Sequence, residues 1–350
     1  MAGRHPVPDR AWRGFAAAIV CGVVALAVGY LALAVLVDPY ETGRVTLLSR
    51  GAVRPQGPRT AVALRGRDEA YRGALIGNSH LQLIEPATLS RLTGIPFVQL
   101  SVPATGPAEQ FAVLRWFLRH HPKPEAIVLA ADAFWCADDP AFPSEHPFPY
   151  WLIGDWTSYL RGLFRLTAAQ ETVNRIGWLF SRKRQSAAAD GWWDYEPDYL
   201  ALGYGRDPKI RERLEIPASA EPETHRAGPF PIEARLSAAL AEVPPATPVV
   251  LLFPPVYAAA EPPTGSPRAK AEASCRGAIR AGLSRHPLSA VVDWRDGRPQ
   301  FRDPAAFFDQ SHYRLPVAQA IGAEIANAII RLQSSDPDPG ARPWQPRRTP

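Results

Sequence analysis

Ala74-Leu75-Ile76-Gly77-Asn78-Ser79-His80 begins as a short apolar run and stops at a glycine, an amide and a hydroxyl. The same signature recurs downstream. Phe97-Val98-Gln99-Leu100 ends at Ser101, Ala126-Ile127-Val128-Leu129-Ala130 runs out at Asp132, and Val249-Val250-Leu251-Leu252-Phe253 and Ala290-Val291-Val292 follow. Runs this short and nearly continuous read as strands buried on both faces. Between the second and third, Pro107 to His120 sets Phe111, Leu114 and Leu118 at i, i+3 and i+7 behind an opening proline, which is the pattern of a one-striped helix. Strand, helix, strand at this spacing implies a parallel crossover. A helical stretch around Lys270 to Leu283 and a last helix from about Pro316 to Leu332, with Ile321, Ile325 and Ile329 on one face, continue the alternation. The predicted fold is α/β, a three-layer α/β/α sandwich with about five parallel strands.

Working outward, Gly14 to Val37 is an unbroken apolar stretch of about 24 residues, enough at ~1.5 Å per residue to exceed a ~30 Å hydrocarbon core. It reads as a transmembrane helix over 14–37 behind a cytoplasmic tail, 1–13. Ala32-Leu33-Ala34 leaves cleavage as a signal peptide as the alternative. Arg4, Arg10 and Arg13 precede the stretch while Arg44, Arg50 and Arg54 follow it, so charge alone does not set the orientation. Residues 38–70 read as a juxtamembrane connector and 71–332 as the folded domain. Within it, about 137–248 interrupts the alternation as an aromatic-rich insertion from Trp151 to Tyr204, expected to cover part of the active-site end of the sheet. Helical pieces are expected there around Thr157 to Phe164 and Ala168 to Phe180. Its rings read first as the insertion's own core, with sugar or acyl platforms as the alternative. The tail, 333–350, is Pro- and Arg-rich and reads as disordered.

The composition, 46% hydrophobic and 21% charged over 350 residues, is that of a globular protein. The net charge of +5 is dispersed, and its densest cluster, Arg182-Lys183-Arg184, has no interleaved aromatics, which speaks against nucleic acid as a partner. Cys21 lies in the apolar stretch. Cys136 and Cys275 are read as two independent small core residues rather than a bridge. No metal or other cofactor is expected, since the adjacent His120-His121 has no further ligand at site-like spacing.

In open parallel sheets ligands sit beyond the carboxyl ends of the strands, which is where the first run delivers Ser79. A serine hydroxyl needs an imidazole to take its proton and a carboxylate to hold that imidazole. Asp309-Gln310-Ser311-His312 supplies both just before the last helix. Ser79, His312 and Asp309 are therefore the candidate nucleophile, base and orienting acid. His80 is a rival base, but adjacent side chains on such a turn diverge, so it is expected to pack or hydrogen-bond beside the turn.

Ile76-Gly77-Asn78-Ser79-His80 and Phe308-Asp309-Gln310-Ser311-His312 together resemble the first and last blocks of the SGNH (GDSL-like) hydrolase superfamily, whose fold is SGNH-hydrolase/flavodoxin-like. The span, Asp38-Pro39-Tyr40 and Phe253-Pro254-Pro255-Val256-Tyr257 look like a membrane-anchored branch similar to alginate and teichoic-acid O-acylation accessory proteins. The resemblance implies an anchored domain on the periplasmic side of a bacterial inner membrane, a polysaccharide or acylated glycan substrate, and a membrane acyltransferase as a possible partner. It also implies that Gly106, or Ser101 closer to the strand end, offers a backbone oxyanion donor. Where the family carries an oxyanion asparagine, this chain has Asp132, which cannot take that role because a carboxylate repels a forming oxyanion. The roles of Asn78 and Asp132 stay open at this point: Asp132 either points elsewhere and holds a loop by accepting backbone hydrogen bonds, or other donors position the acceptor, or activity is reduced or lost. The leading expectation is a serine acyl esterase or O-acyltransferase, O-acetyl chemistry included. The alternatives are a catalytically reduced glycan-binding or assembly subunit and a lipase-like enzyme.

Overall fold

A computed structural model describes residues 9–45, 47, 57–139, 147–180 and 187–334. The cluster at 182–184, the arginines at 4, 50 and 54, and nearly all of the tail read as disordered fall outside these residues.

Strands β1 (Gly73–Ile76), β2 (Phe97–Gln99), β3 (Ala126–Ala130), β4 (Val249–Phe253) and β5 (Ser289–Asp293) form a five-stranded, all-parallel sheet in the order β2-β1-β3-β4-β5. Each lies on one of the apolar runs of the sequence. Helix α1 (Asp9–Val37) is the apolar N-terminal helix and α2 (Pro58–Arg65) follows it. Helices α3 (Pro86–Thr93) and α4 (Pro107–His120) make the β1–β2 and β2–β3 crossovers. Helices α5 (Tyr150–Ile153), α6 (Trp156–Leu163), α7 (Leu166–Phe180), α8 (Glu196–Ala201), α9 (Pro208–Leu214) and α10 (Ile232–Leu240) lie between β3 and β4, α11 (Pro267–Leu283) joins β4 to β5, and α12 (Leu315–Ser334) ends the domain.

Alternation along the strands sorts the core into two layers. Ala74, Ile76, Ile127, Leu129, Val249 and Leu251 face α2, α4, α10 and α11, while Leu75, Val128, Ala130, Val250 and Leu252 face α3 and α12. On α12 the expected Ile321, Ile325 and Ile329 are all fully buried. The chain leaves β1 toward β2 and then crosses back over β1 to β3, so the strand order reverses between β1 and β3. A crevice opens at such a reversal, beyond the carboxyl ends of the two strands.

Two boundaries differ from the sequence reading. The connector, 38–70, contributes structure of its own. Asp38 accepts hydrogen bonds from the Thr42 and Gly43 N–H groups at 3.0 and 2.7 Å and from the Tyr159 hydroxyl at 3.2 Å, and α2 buries Ala61, Val62 and Ala63 on the sheet. The insertion gives up its last part, because α10 packs Ile232, Leu236 and Leu240 into the same layer as α11 and so completes the β3–β4 crossover. A third difference is a correction: Cys136 and Cys275 form a disulfide. The 3-10 turn after β3 that ends in Cys136 packs against α11, whose buried face carries Cys275, so residues 139 apart in sequence meet.

Helix α1 is long and apolar enough to span a membrane. Its side chains stand largely exposed until Ala34 and Val37 dock on the domain and the Tyr30 hydroxyl donates to the Leu163 carbonyl at 2.6 Å. Helix α12 passes the same length and composition test but is built into the core.

Candidate active site

Gly77 follows β1 at a tightly packed spot: a Cβ there would lie 3.1 Å from the Ala130 Cβ and 3.3 Å from the Leu81 Cβ, closer than ordinary van der Waals contact. The close approach of β3 lets the chain turn at once into a 3-10 helix, Ser79–Leu81. Asn78 caps this turn by accepting the His80 N–H at 3.1 Å on its side-chain oxygen. Ser79 is thereby the first residue of the turn, at the β1/β3 reversal.

The last block comes to it from the far side. Phe308 N–H donates to the His312 carbonyl at 2.8 Å, closing a tight loop before α12. Glu196 holds that loop from the insertion, accepting from Arg314 at 2.6 Å and from the Leu315 N–H at 2.8 Å. Tyr195, Tyr199 and Tyr204 pack around Phe308, so part of the insertion does cover this end of the sheet.

These supports place the His312 Nε2 2.8 Å from the Ser79 Oγ and its Nδ1 2.8 Å from the Asp309 Oδ2. Asp309 Oδ1 accepts the backbone N–H groups of Ser311 and His312 at 2.8 and 2.9 Å. Burial opposes ionisation of Asp309. The hydrogen bond and charge of His312, with the two backbone donors, outweigh it and lower the carboxyl to about 2. A carboxylate fixed on Nδ1–H leaves Nε2 as an acceptor toward the serine hydroxyl. The three residues separated by 233 and 3 positions thus form one hydrogen-bonded chain.

Beside it stands a second arrangement. Asp132, at the end of β3, accepts from His80 Nδ1 at 2.9 Å, from the Asn78 amide and from the Phe134 N–H at 2.9 Å. Its burial opposes ionisation, but these donors, His80 first, hold the carboxyl below its usual range. Asp132 therefore does hold a loop through a backbone hydrogen bond, and it also ties Asn78 and His80 to β3. The Asn78 amide is committed to Asp132 and the Thr105 carbonyl. The His80 ring lies 5.0 Å from that of His312, and the Tyr313 hydroxyl donates to the His80 carbonyl. The sequence reading did not pair His80 with Asp132. Only the strand order brings the two together, since they follow β1 and β3, which are neighbours in the sheet.

Gly106 does not offer the donor expected of it. It precedes α4 as its cap, and its N–H donates to Glu109 Oε2 at 3.0 Å, a helix-capping contact that already occupies the donor. Ser101 N–H donates to Gln99 Oε1 at 3.1 Å. The Ser79 N–H meets no acceptor among the described residues. His120 and His121 bond the carbonyls of Trp116 and Phe117 at 2.9 Å, and among the described residues no cluster of three metal-ligating side chains occurs.

No protein-family model matches the chain, and no curated protein matches it.

Proposed function

We propose that this protein is a membrane-anchored serine acyl esterase or O-acyltransferase of the SGNH type, acting on an envelope or secreted polysaccharide. The observation that carries the reading is the Ser79–His312–Asp309 chain, with 2.8 Å at both links. In this scheme Ser79 Oγ attacks the acyl carbonyl as His312 Nε2 takes its proton, and Asp309 stabilises the imidazolium. The Ser79 N–H donates to the forming oxyanion. Collapse of the tetrahedral intermediate releases the alcohol, protonated from Nε2, and leaves the acyl group on Ser79. Water or a sugar hydroxyl, deprotonated by the same Nε2, then accepts it. The Cys136–Cys275 bridge supports an oxidising compartment, and with α1 as anchor the proposed location is the periplasmic side of a bacterial inner membrane. A membrane acyltransferase is the partner this reading implies.

A second reading, a catalytically reduced glycan-binding or assembly subunit, is favoured by the side chain at 132 being a carboxylate and by the capped Gly106 N–H, which leave fewer oxyanion donors. Labelling of the full chain in detergent with a fluorophosphonate separates the two. Labelling of the wild type that disappears in a folded Ser79→Ala variant supports the enzyme; no labelling of folded wild type supports the subunit. Acetyl esters offered with and without glycan acceptors then distinguish hydrolysis from transfer.

A further inference from the structure

Helix α7 buries one side and shows an apolar stripe on the other. Ala168, Thr172, Arg175 and Trp178 are its buried residues. Leu166, Ala169, Val173, Ile176 and Phe180 recur at alternating steps of three and four, which sets them along a different side of the helix. Leu166, Val173 and Phe180 are 76, 69 and 87% exposed, and Ala169 and Ile176 are partly so. The two charged residues of α7, Glu171 and Arg175, both fall outside this series. Phe164, which precedes the helix, is also exposed. Single exposed apolar side chains are ordinary on a soluble surface, but an ordered stripe of them marks a surface that meets something apolar.

The place where α7 is tied down says what that something is. Tyr30 of α1 donates its hydroxyl to the Leu163 carbonyl at 2.6 Å, and its ring centre lies 6.3 Å from that of Phe164. The Tyr159 hydroxyl donates to Asp38 at 3.2 Å, and Arg175 meets Glu41 in a buried ion pair at 2.5 Å. The corner between α6 and α7 is thereby fixed to the last turns of α1 and to the chain just past them. The apolar span Arg10–Val37 has 28 residues, more than the ~20 that cross a ~30 Å hydrocarbon core. Counted from Gly14, the first residue after Arg13, ~20 residues end near Leu33, about 5 Å beyond Tyr30. With α1 as the span, Phe164 stands at the domain-side edge of the hydrocarbon, and α7 begins two residues later. Arg161 and Arg165, both exposed, and the half-exposed Trp156 belong to the same corner, and these are residue types that face lipid headgroups.

We propose that the outward stripe of α7 is a membrane-surface element: Phe164, Leu166, Val173 and Phe180 sit in the domain-side leaflet beside α1, with Arg161 and Arg165 at the lipid phosphates. An amphipathic helix lying in this plane buries its apolar face about 5–10 Å into the boundary between headgroups and acyl chains. The domain then rests on the bilayer through two elements, α1 and α7, rather than swinging on its connector, and the crevice that holds Ser79 keeps one orientation toward the surface. The proposal rests on the reading of α1 as a membrane span and not on that of Ser79 as nucleophile.

The test attaches a nitrobenzoxadiazole fluorophore to one site at a time, through Leu166→Cys, Val173→Cys, Phe180→Cys, Leu26→Cys or Leu92→Cys, in a full chain that carries Cys21→Ser and keeps the Cys136–Cys275 bridge. All five sites are exposed, so the label displaces no core contact. The protein is reconstituted in vesicles of equal parts phosphatidylcholine and phosphatidylglycerol that carry a nitroxide at a shallow or a deep acyl position, and iodide is added as the aqueous quencher. Leu26, within α1, is expected to be quenched most by the deep nitroxide, and Leu92, on α3 across the sheet, by iodide alone. The three α7 sites are expected to be shielded from iodide and quenched more by the shallow nitroxide than by the deep one, as a depth of about 5–10 Å requires. If they respond to iodide as Leu92 does while Leu26 is quenched by lipid, the proposal falls and the anchor stands. Shielding from iodide without quenching by either nitroxide means that a second copy of the chain covers the stripe, which also overturns it. Quenching of Leu26 by iodide overturns the anchor and this proposal together.

Discussion

Asp309→Asn isolates the orienting carboxylate from the rest of the relay. Asparagine is isosteric, and its oxygen can still accept the Ser311 and His312 backbone N–H groups that Asp309 Oδ1 takes at 2.8 and 2.9 Å, so the loop keeps its shape. What changes is the atom facing His312 Nδ1, now at 2.8 Å from Oδ2. An amide NH2 there donates, which makes Nδ1 the acceptor and moves the ring proton to Nε2, 2.8 Å from Ser79 Oγ. A protonated Nε2 cannot take the serine proton. The loss expected of such a tautomer reversal is about 10³–10⁴ in acylation rate, equivalent to about 4–5.5 kcal/mol of transition-state stabilisation. The second-order rate of fluorophosphonate labelling measures this directly and needs no knowledge of the natural substrate. Combining Asp309→Asn with His312→Ala is expected to cost little more than His312→Ala alone, because the carboxylate acts only through the imidazole. An Asp309→Asn variant that labels within about threefold of wild type would falsify the relay, and additive losses in the double variant would do the same.

Asp309 also links stability to acid. Its folded-state carboxyl is lowered to about 2, so its contribution is fully present above its unfolded value near ~3.9 and is lost as pH falls toward 2; urea melts of wild type and Asp309→Asn are expected to converge across that window. Reducing the Cys136–Cys275 bridge, or Cys275→Ser, opens a loop whose ends are 139 residues apart and is expected to lower unfolding free energy by about 5 kcal/mol on the chain-entropy account, read from denaturant midpoints. Gly77→Ala brings a methyl to 3.1 Å from the Ala130 Cβ, with an expected loss of ~1–3 kcal/mol and slower labelling because Ser79 shifts with the turn; unchanged labelling would detach the turn from the chemistry. Ile325→Ala, at a fully buried site on α12, is expected to cost ~2–5 kcal/mol in the same melts.

The strands were legible because a strand buried on both faces must be apolar at every position, so β1, β3 and β4 appear as unbroken runs. Helix α4 was legible from its stripe and opening proline and α12 from its isoleucine stripe, while α11 was read as a helical stretch from about Lys270 and begins at Pro267. Helix α3 was not, since Pro86–Thr93 buries only Pro86 and Leu89 and carries no sustained period. Helix α10 was missed because everything up to about 248 was read as one insertion. Of the candidate site, Ser79, Asp309 and His312 could be picked out by residue type and by their positions at a strand end and before the final helix. The commitments of Gly106, Asn78 and Asp132 could not, because a hydrogen-bond partner is a matter of direction and residue type does not encode it.

By itself the sequence determined the period of the strands and of the longer helices, and with it an α/β domain of parallel strands behind an apolar N-terminal helix, because burial on one face or two writes directly into hydropathy. Tertiary structure alone decided which distant residues meet. Cys136 found Cys275, Asp132 was drawn to His80, and Arg65 left a nominal connector to become a buried cation. Each outcome depends on how strands and helices are ordered in space, and contacts between residues far apart along the chain leave no periodic trace in it.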